Sequence, residues 1–138
     1  MPMNTQNIHQ TYFFKATPDQ VYNLIVDEEL HSAFTGSHAE INDVVGDDFN
    51  AWDGYIEGKN LEIVPNQKIV QLWRSQENDW PEDHFSTVTF VFEPKNGGTE
   101  LTFDQIDIPE ACVENITQGW INYYWKPMEE YLVKHESE

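Results

Sequence analysis

The chain has 138 residues, 39% apolar and 14% aromatic, with 25 acidic against 7 basic residues for a formal charge of -18. That length fits one domain burying roughly two thirds of the surface its unfolded form would expose, and the ring content excludes a disordered chain. Phosphate backbones and anionic headgroups would be repelled by such a surface, which sets nucleic-acid and membrane-surface roles aside and leaves a basic partner protein open.

The N-terminus, MPMNTQNIHQ, has neither a basic segment nor an apolar one of leader type, and no apolar run approaches the ~18 residues of a membrane span. A soluble cytoplasmic protein is expected. Ile8 to Lys15 is rich in β-formers and predicts a strand. Thr17 then offers an N-cap and Pro18 suits a first helical turn, while Val21, Tyr22, Leu24 and Ile25 recur at helical spacing. A second short helix should end before Gly36.

From Ala39 to Asp107 the period changes to two, with turns at Asp53-Gly54, Pro65-Asn66 and Asn96-Gly97-Gly98. This predicts at least five strands in a meander, interrupted by a polar loop over Ser75 to His84 with Trp80 folded back. If Pro65-Asn66 is a two-residue turn, Leu61 faces Val70, Lys59 faces Leu72, Gly58 faces Trp73, and Glu57 forms a cross-strand ion pair with Arg74. Leu61, Ile63, Val70 and Leu72 would then form an inward aliphatic face. Ile56, Asn60, Glu62, Ile69, Gln71 and Trp73 would form either outer surface or a semi-polar pocket wall. Farther on, Val88, Phe90 and Phe92 make a clean apolar face, as do Leu101 and Phe103, and these should oppose a helix.

Pro109-Glu110 opens a helical segment reaching about Lys134. At ~100° per residue its apolar side chains, among them Ile116, Trp120, Tyr123, Tyr124, Trp125, Met128 and Tyr131, spread over an arc of roughly 200°, twice what packing on a flat sheet requires. A sheet that curls around the helix is expected. Pro127 should bend the helix and leave the Tyr123 carbonyl unpaired, and Gly119 is a second weak point. The rings at the centre of the arc are either core or the roof of an internal cavity. For the cavity case the lining would be Trp120, Tyr124, Met128, Phe90, Phe92, Phe103, Leu61, Leu72 and Trp73.

Chemistry-bearing patterns are sparse. Cys112 is alone, near a helix start but with no histidine beside it in sequence. His9, His31, His38, His84 and His135 are scattered without metal-ligand spacing, so neither metal nor cofactor is expected. Glu62, flanked by Leu61 and Ile63, is the carboxylate best placed for a raised pKa, although no catalytic residue is assigned.

FKATPDQVYNLIVDEELHSAFTG, FNAWDGYIEGKNLEIVPNQKIVQLWR and GWINYYWKPMEEYL, taken in order, resemble the domain that forms the C-terminal half of the activator of the heat-shock protein 90 ATPase and also occurs as stand-alone bacterial proteins. The resemblance spans nearly the whole chain. It implies membership of the START-like, birch-pollen-allergen-like superfamily and an α+β helix-grip fold: a curved antiparallel sheet of about six strands wrapped around a long C-terminal helix, with two short helices after the first strand. In the eukaryotic co-chaperone an additional N-terminal domain makes much of the chaperone contact, and Met1 to Asn7 is too short to substitute for it. Three functions follow as expectations. The first is a non-enzymatic module holding an apolar or amphipathic small molecule through rings such as Trp120, Tyr124, Phe90 and Phe103. The second is a stress-response interaction protein whose acidic surface meets a chaperone. The third is a cavity enzyme using Glu62 or a tyrosine.

Overall fold

A computed structural model describes residues 4–135; Met1–Met3, residues 136–138 and the side chain of His135 lie outside the description. Strand β1 (Thr5–Phe14) leads into helices α1 (Pro18–Val26) and α2 (Glu28–Thr35). Strands β2 (Asp48–Ala51), β3 (Ile56–Val64), β4 (Lys68–Ser75), β5 (Ser86–Lys95) and β6 (Gly98–Pro109) follow as a meander. All pair antiparallel in the order β1-β6-β5-β4-β3-β2. The C-terminal helical segment begins with a 3-10 turn (Glu110–Cys112) and continues as α3 (Val113–Trp120), one π-helical turn (Ile121–Trp125) and α4 (Lys126–His135). The curved sheet and helix order are those of the expected helix-grip fold.

Local chemistry sets the element ends. Pro18 opens α1 and the Gln20 side chain accepts from the Thr17 backbone N–H at 2.9 Å. The Asp27 carboxylate accepts from the Leu30 N–H and starts α2, and Gly36, at φ 75°, closes it in the left-handed conformation.

The hairpin between β3 and β4 differs from its expected form. The connection holds three residues, Pro65, Asn66 and Gln67, because Asn66 adopts φ 64° and the Gln67 N–H closes the turn on the Val64 carbonyl at 2.9 Å. A register shift at Leu61 then restores the expected pairs from Asn60 outward, including Gly58 with Trp73 and Glu57 with Arg74. Leu61 does not face Val70. The inward aliphatic face is also corrected: Leu61 is 43% exposed and Leu72 only partly buried, whereas Ile56, Asn60, Ile69, Gln71 and Trp73 are buried. Polar residues reach the core here because their hydrogen bonds are met. Gln71 donates to the Asn60 side-chain oxygen at 3.0 Å, and Asn60 donates to the carbonyls of Asn42 and Val44. Accordingly Leu61→Gln should change stability by less than about 0.5 kcal/mol in urea unfolding, while the conservative Ile69→Val should cost about 0.5–1.5 kcal/mol; the reverse order would restore the original face assignment.

The core lies between the concave sheet face and the helices. Val88, Phe90 and Phe92 of β5 and Leu101 and Phe103 of β6 all point into it, as their alternation predicts. From the C-terminal segment it receives Ile116, Trp120, Tyr124, Trp125 and Met128. Tyr123, which the straight wheel placed in the apolar arc, is 59% exposed. The π turn accounts for this. The Lys126 N–H bonds to the Ile121 carbonyl, five residues back, so one extra residue enters the helix before Pro127 and both Tyr124 and Trp125 turn inward. Pro127 thus follows the π turn directly, where the widened backbone already departs from the i+4 ladder that its missing N–H would have joined. The distortion expected at the proline is this π turn one step ahead of it.

Candidate functional site

The centre of the aromatic arc is solid. Trp120 packs against Phe103 at a ring separation of 4.4 Å, Tyr124 at 4.7 Å, Trp125 at 5.4 Å and Trp73 at 5.5 Å. Its indole N–H donates to the Gln105 side-chain oxygen at 2.8 Å. Gln105 donates to the Ser86 hydroxyl, which donates to the Trp73 carbonyl at 2.7 Å. Trp125 is tied in the same way to Gln10 on β1, at 2.6 Å. Burying an indole is favourable only when its N–H is met, and each of these is.

A second polar link crosses the core. His31 on α2 donates from Nδ1 to the Ile25 carbonyl at 2.9 Å, leaving Nε2 to accept from the Tyr124 hydroxyl at 3.0 Å. Burial lowers the His31 pKa from 6.5 to about 4 and pushes the Tyr124 hydroxyl well above its usual range, so both are neutral near pH 7. The space left between this pair, Trp73, Phe90 and Trp120 is about 10 Å³. That volume admits one water at most, far below the ~300 Å³ of a small-ligand cavity.

Open hollows of about 400–540 Å³ lie elsewhere on the surface, but the concavity that borders these rings lies where α3 and the π turn pass over the ends of β3 and β4. It is a solvent-open groove of about 670 Å³. Ile56, Trp73, Trp120 and Tyr124 form its floor, and Trp52, Tyr55 and Tyr123 form its rim. Asn115, Gln118 and Asn122 line the helix side, with Ser75 and Glu77 opposite. Trp52 is held edge-on to Tyr123 at 5.6 Å and to Tyr124 at 6.4 Å.

Of the residues expected to line a cavity, Trp73, Trp120 and Tyr124 touch both the filled interior and the groove. Phe90 borders the interior only, and Phe92, Phe103 and Met128 are packed elsewhere in the core. Leu61 and Leu72 lie on the other side of the sheet from the helix, because they alternate with Asn60, Gln71 and Trp73, which take the buried face. Sequence reasoning missed Trp52, Tyr55 and Glu77. The signal available for Trp52 was its place just before the Asp53-Gly54 turn, which puts it at a strand end.

The reactive candidates are placed as follows. Glu62 is exposed and sits 3.4 Å from Lys68. Burial, then the Glu77 charge, push the Cys112 thiol up to about 12, so it stays protonated rather than activated by the helix start. Among the described residues no three His, Cys, Asp or Glu side chains cluster as metal ligands would. Arg74 donates to Glu57 at 3.1 Å, as the register predicts, and Trp80 is folded back against Trp73 with its N–H on the His84 carbonyl. Among the described residues no helix is long and apolar enough to cross a membrane.

Comparison with known proteins bears on this site. A family model described as Activator of Hsp90 ATPase homolog 1-like protein matches residues 15–133. The chain is 37% identical over 113 residues to Activator of 90 kDa heat shock protein ATPase homolog 1 of Homo sapiens, covering 82% of this chain and 33% of that protein. It is 34% identical over 128 residues to homolog 2 of Mus musculus, covering 93% of this chain and 38% of that protein. The chain thus spans about a third of the length of these curated relatives. Among solved structures, an HSP90 activator from Plasmodium falciparum superposes with a TM-score of 0.85 at 28% identity, covering 95% of this chain and 96% of that one. A protein from Mesorhizobium loti superposes with a TM-score of 0.82 at 20% identity, covering 94% and 98%, and shows a shared fold.

Proposed function

Because the chain belongs to the Activator of Hsp90 ATPase homolog 1-like family, we propose that it is a non-enzymatic interaction module that docks on a chaperone of the 90 kDa heat-shock class. The observation that carries this reading is where the free space lies: about 10 Å³ under Trp120 and Tyr124, against about 670 Å³ in an open groove between helix and sheet ends. An open groove with exposed rings suits a partner's surface better than a sequestered molecule. The net charge of -18 adds a preference for a basic face on the partner. Pull-down of the host organism's own 90 kDa chaperone at 50 mM and 500 mM salt, with its ATPase assayed in parallel, tests this. Capture that weakens several-fold as salt rises is expected; no capture at low salt sinks it.

The groove's volume falls within the range of small-ligand sites, which favours one second reading, an amphipathic small molecule lying in it. Native mass spectrometry with a panel of fatty acids, sterols and polyketides checks it. A retained adduct lost in Tyr123→Ala supports it, and a bare mass throughout removes it.

A further inference from the structure

Three features of the groove are left unexplained by a generic contact face. First, its rim is aromatic: Tyr55 and Tyr123 are 44% and 59% exposed, and Trp52 stands half-buried beside them. Second, Glu77 is the one charged side chain in its lining; no lysine or arginine lines it, and among the described residues no cation pairs with Glu77. Third, the backbone that presents Trp52 is strained. Trp52 and Asp53 stand at φ 55° and 56° and Gly54 at φ 89°, three left-handed residues in a row. A bulky side chain in that region is strained and persists where the surroundings over-determine it. Here the Asp53 N–H is bound by the His38 carbonyl at 2.8 Å, and the Tyr55 N–H by the Trp52 carbonyl at 3.1 Å. The turn spends strain to hold an indole at the groove's edge.

Aromatic faces attract cations through their quadrupole, and a carboxylate nearby adds its own Coulomb attraction. Asn115, Gln118 and Asn122 on the helix side supply amide oxygens able to accept further N–H bonds. The groove has the composition of a cation receptor and lacks a group that would neutralise an anion. We propose that it binds an arginine or lysine side chain from a basic segment of a partner protein, laid against the rings of Trp52, Tyr55 and Tyr123 with Glu77 as counter-charge. The assignment rests on the groove being the contact face of the interaction module, and it specifies what the groove recognises.

The probe is acetyl-Leu-Arg-Leu amide, with versions carrying citrulline, which keeps the shape and loses the charge, or glutamate at the centre. Titration into the ¹⁵N-labelled chain, followed by indole N–H resonances, should shift the Trp52 signal. Affinity should fall at least about tenfold, or 1.4 kcal/mol, for the citrulline peptide. Glu77→Gln should lose a similar factor. Trp52→Asn, which puts a residue tolerant of left-handed backbone at the strained position, should lose binding when titrated well below its own thermal midpoint, where the loss of packing on Tyr124 leaves the chain folded. Equal affinity for the arginine and citrulline peptides, or unchanged binding in Glu77→Gln, overturns the proposal. Peptide binding without chaperone capture would refute the chaperone as partner and leave the cation site standing. Chaperone capture undiminished in both variants would keep the module and remove the site.

Discussion

Trp120→Ala is expected to cost about 3–5 kcal/mol of folding stability in urea unfolding, much of what a domain of this size has in total. The indole is 3% exposed and touches Phe103, Tyr124, Trp125, Trp73 and Phe90, so its removal empties the centre of the core rather than an edge. Part of the loss is polar. Gln105, 0% exposed, would be left with an unmet side-chain oxygen. Trp120→Phe separates the two contributions, because it keeps a ring but loses the donor, and should cost about 1–3 kcal/mol. Adding Gln105→Leu to Trp120→Phe removes the unmet Gln105 oxygen but also takes the Gln105 N–H from the Ser86 hydroxyl, which keeps only its own bond to the Trp73 carbonyl, so only part of the cost should be recovered. If Trp120→Phe costs under about 0.5 kcal/mol and the double variant recovers nothing, the Trp120–Gln105 bond contributes little. Trp120→Ala is also a poor test of ligand binding for this reason, and Tyr123→Ala and Trp52→Asn at the rim are better ones.

The order and type of the elements were legible because they depend on local rules. Pro18, Gly36 and the period-two strands read correctly without tertiary information. Even the breadth of the apolar arc, which called for a curved sheet, held although individual positions moved. What failed did so at irregularities. The residue inserted at Leu61 puts Glu62 rather than Leu61 opposite Val70, and the one in the π turn shifts the side chains around it by a step and sends Tyr123 to the surface. A strict period has no means of expressing an insertion. Asn60 and Gln71 read as surface or pocket wall because their partners, the carbonyls of Asn42 and Val44, come from a distant loop. The groove was hidden for the same reason. Trp52, Glu77 and Tyr123 come from three separate segments, and neither composition nor spacing brings them together.

The His31–Tyr124 link makes stability depend on pH in a specific direction. Burial opposes protonation of His31, so its pKa drops from 6.5 to about 4 on folding, with the bond to the Ile25 carbonyl only partly compensating. Between those values the unfolded chain binds the proton and the folded one does not. This contribution is therefore fully present above about pH 6.5 and is lost as pH falls toward 4, amounting to about 3 kcal/mol over the window. Protonation would also place a charge on Nε2 facing a hydroxyl that burial keeps neutral, with no carboxylate among its hydrogen-bond partners. The remainder of the molecule pulls the other way, because a net charge of -18 repels itself and protonating carboxylates relieves that repulsion. The total pH profile mixes the two, and comparison with His31→Gln isolates the histidine. Urea unfolding at intervals from pH 7.5 to 4.5 should show the wild type losing up to about 3 kcal/mol relative to the variant as pH falls, whatever their difference at neutral pH. Parallel curves would mean that His31 titrates alike in both states and that its burial carries no linkage. An imidazole resonance of His31 still unprotonated at pH 5 is the corresponding spectroscopic expectation. Since His31 joins α2 to the π turn that also forms the groove wall, the same acidification should loosen the groove before it unfolds the sheet, seen as earlier exchange of the Tyr124 and Trp125 amides than of those in β5.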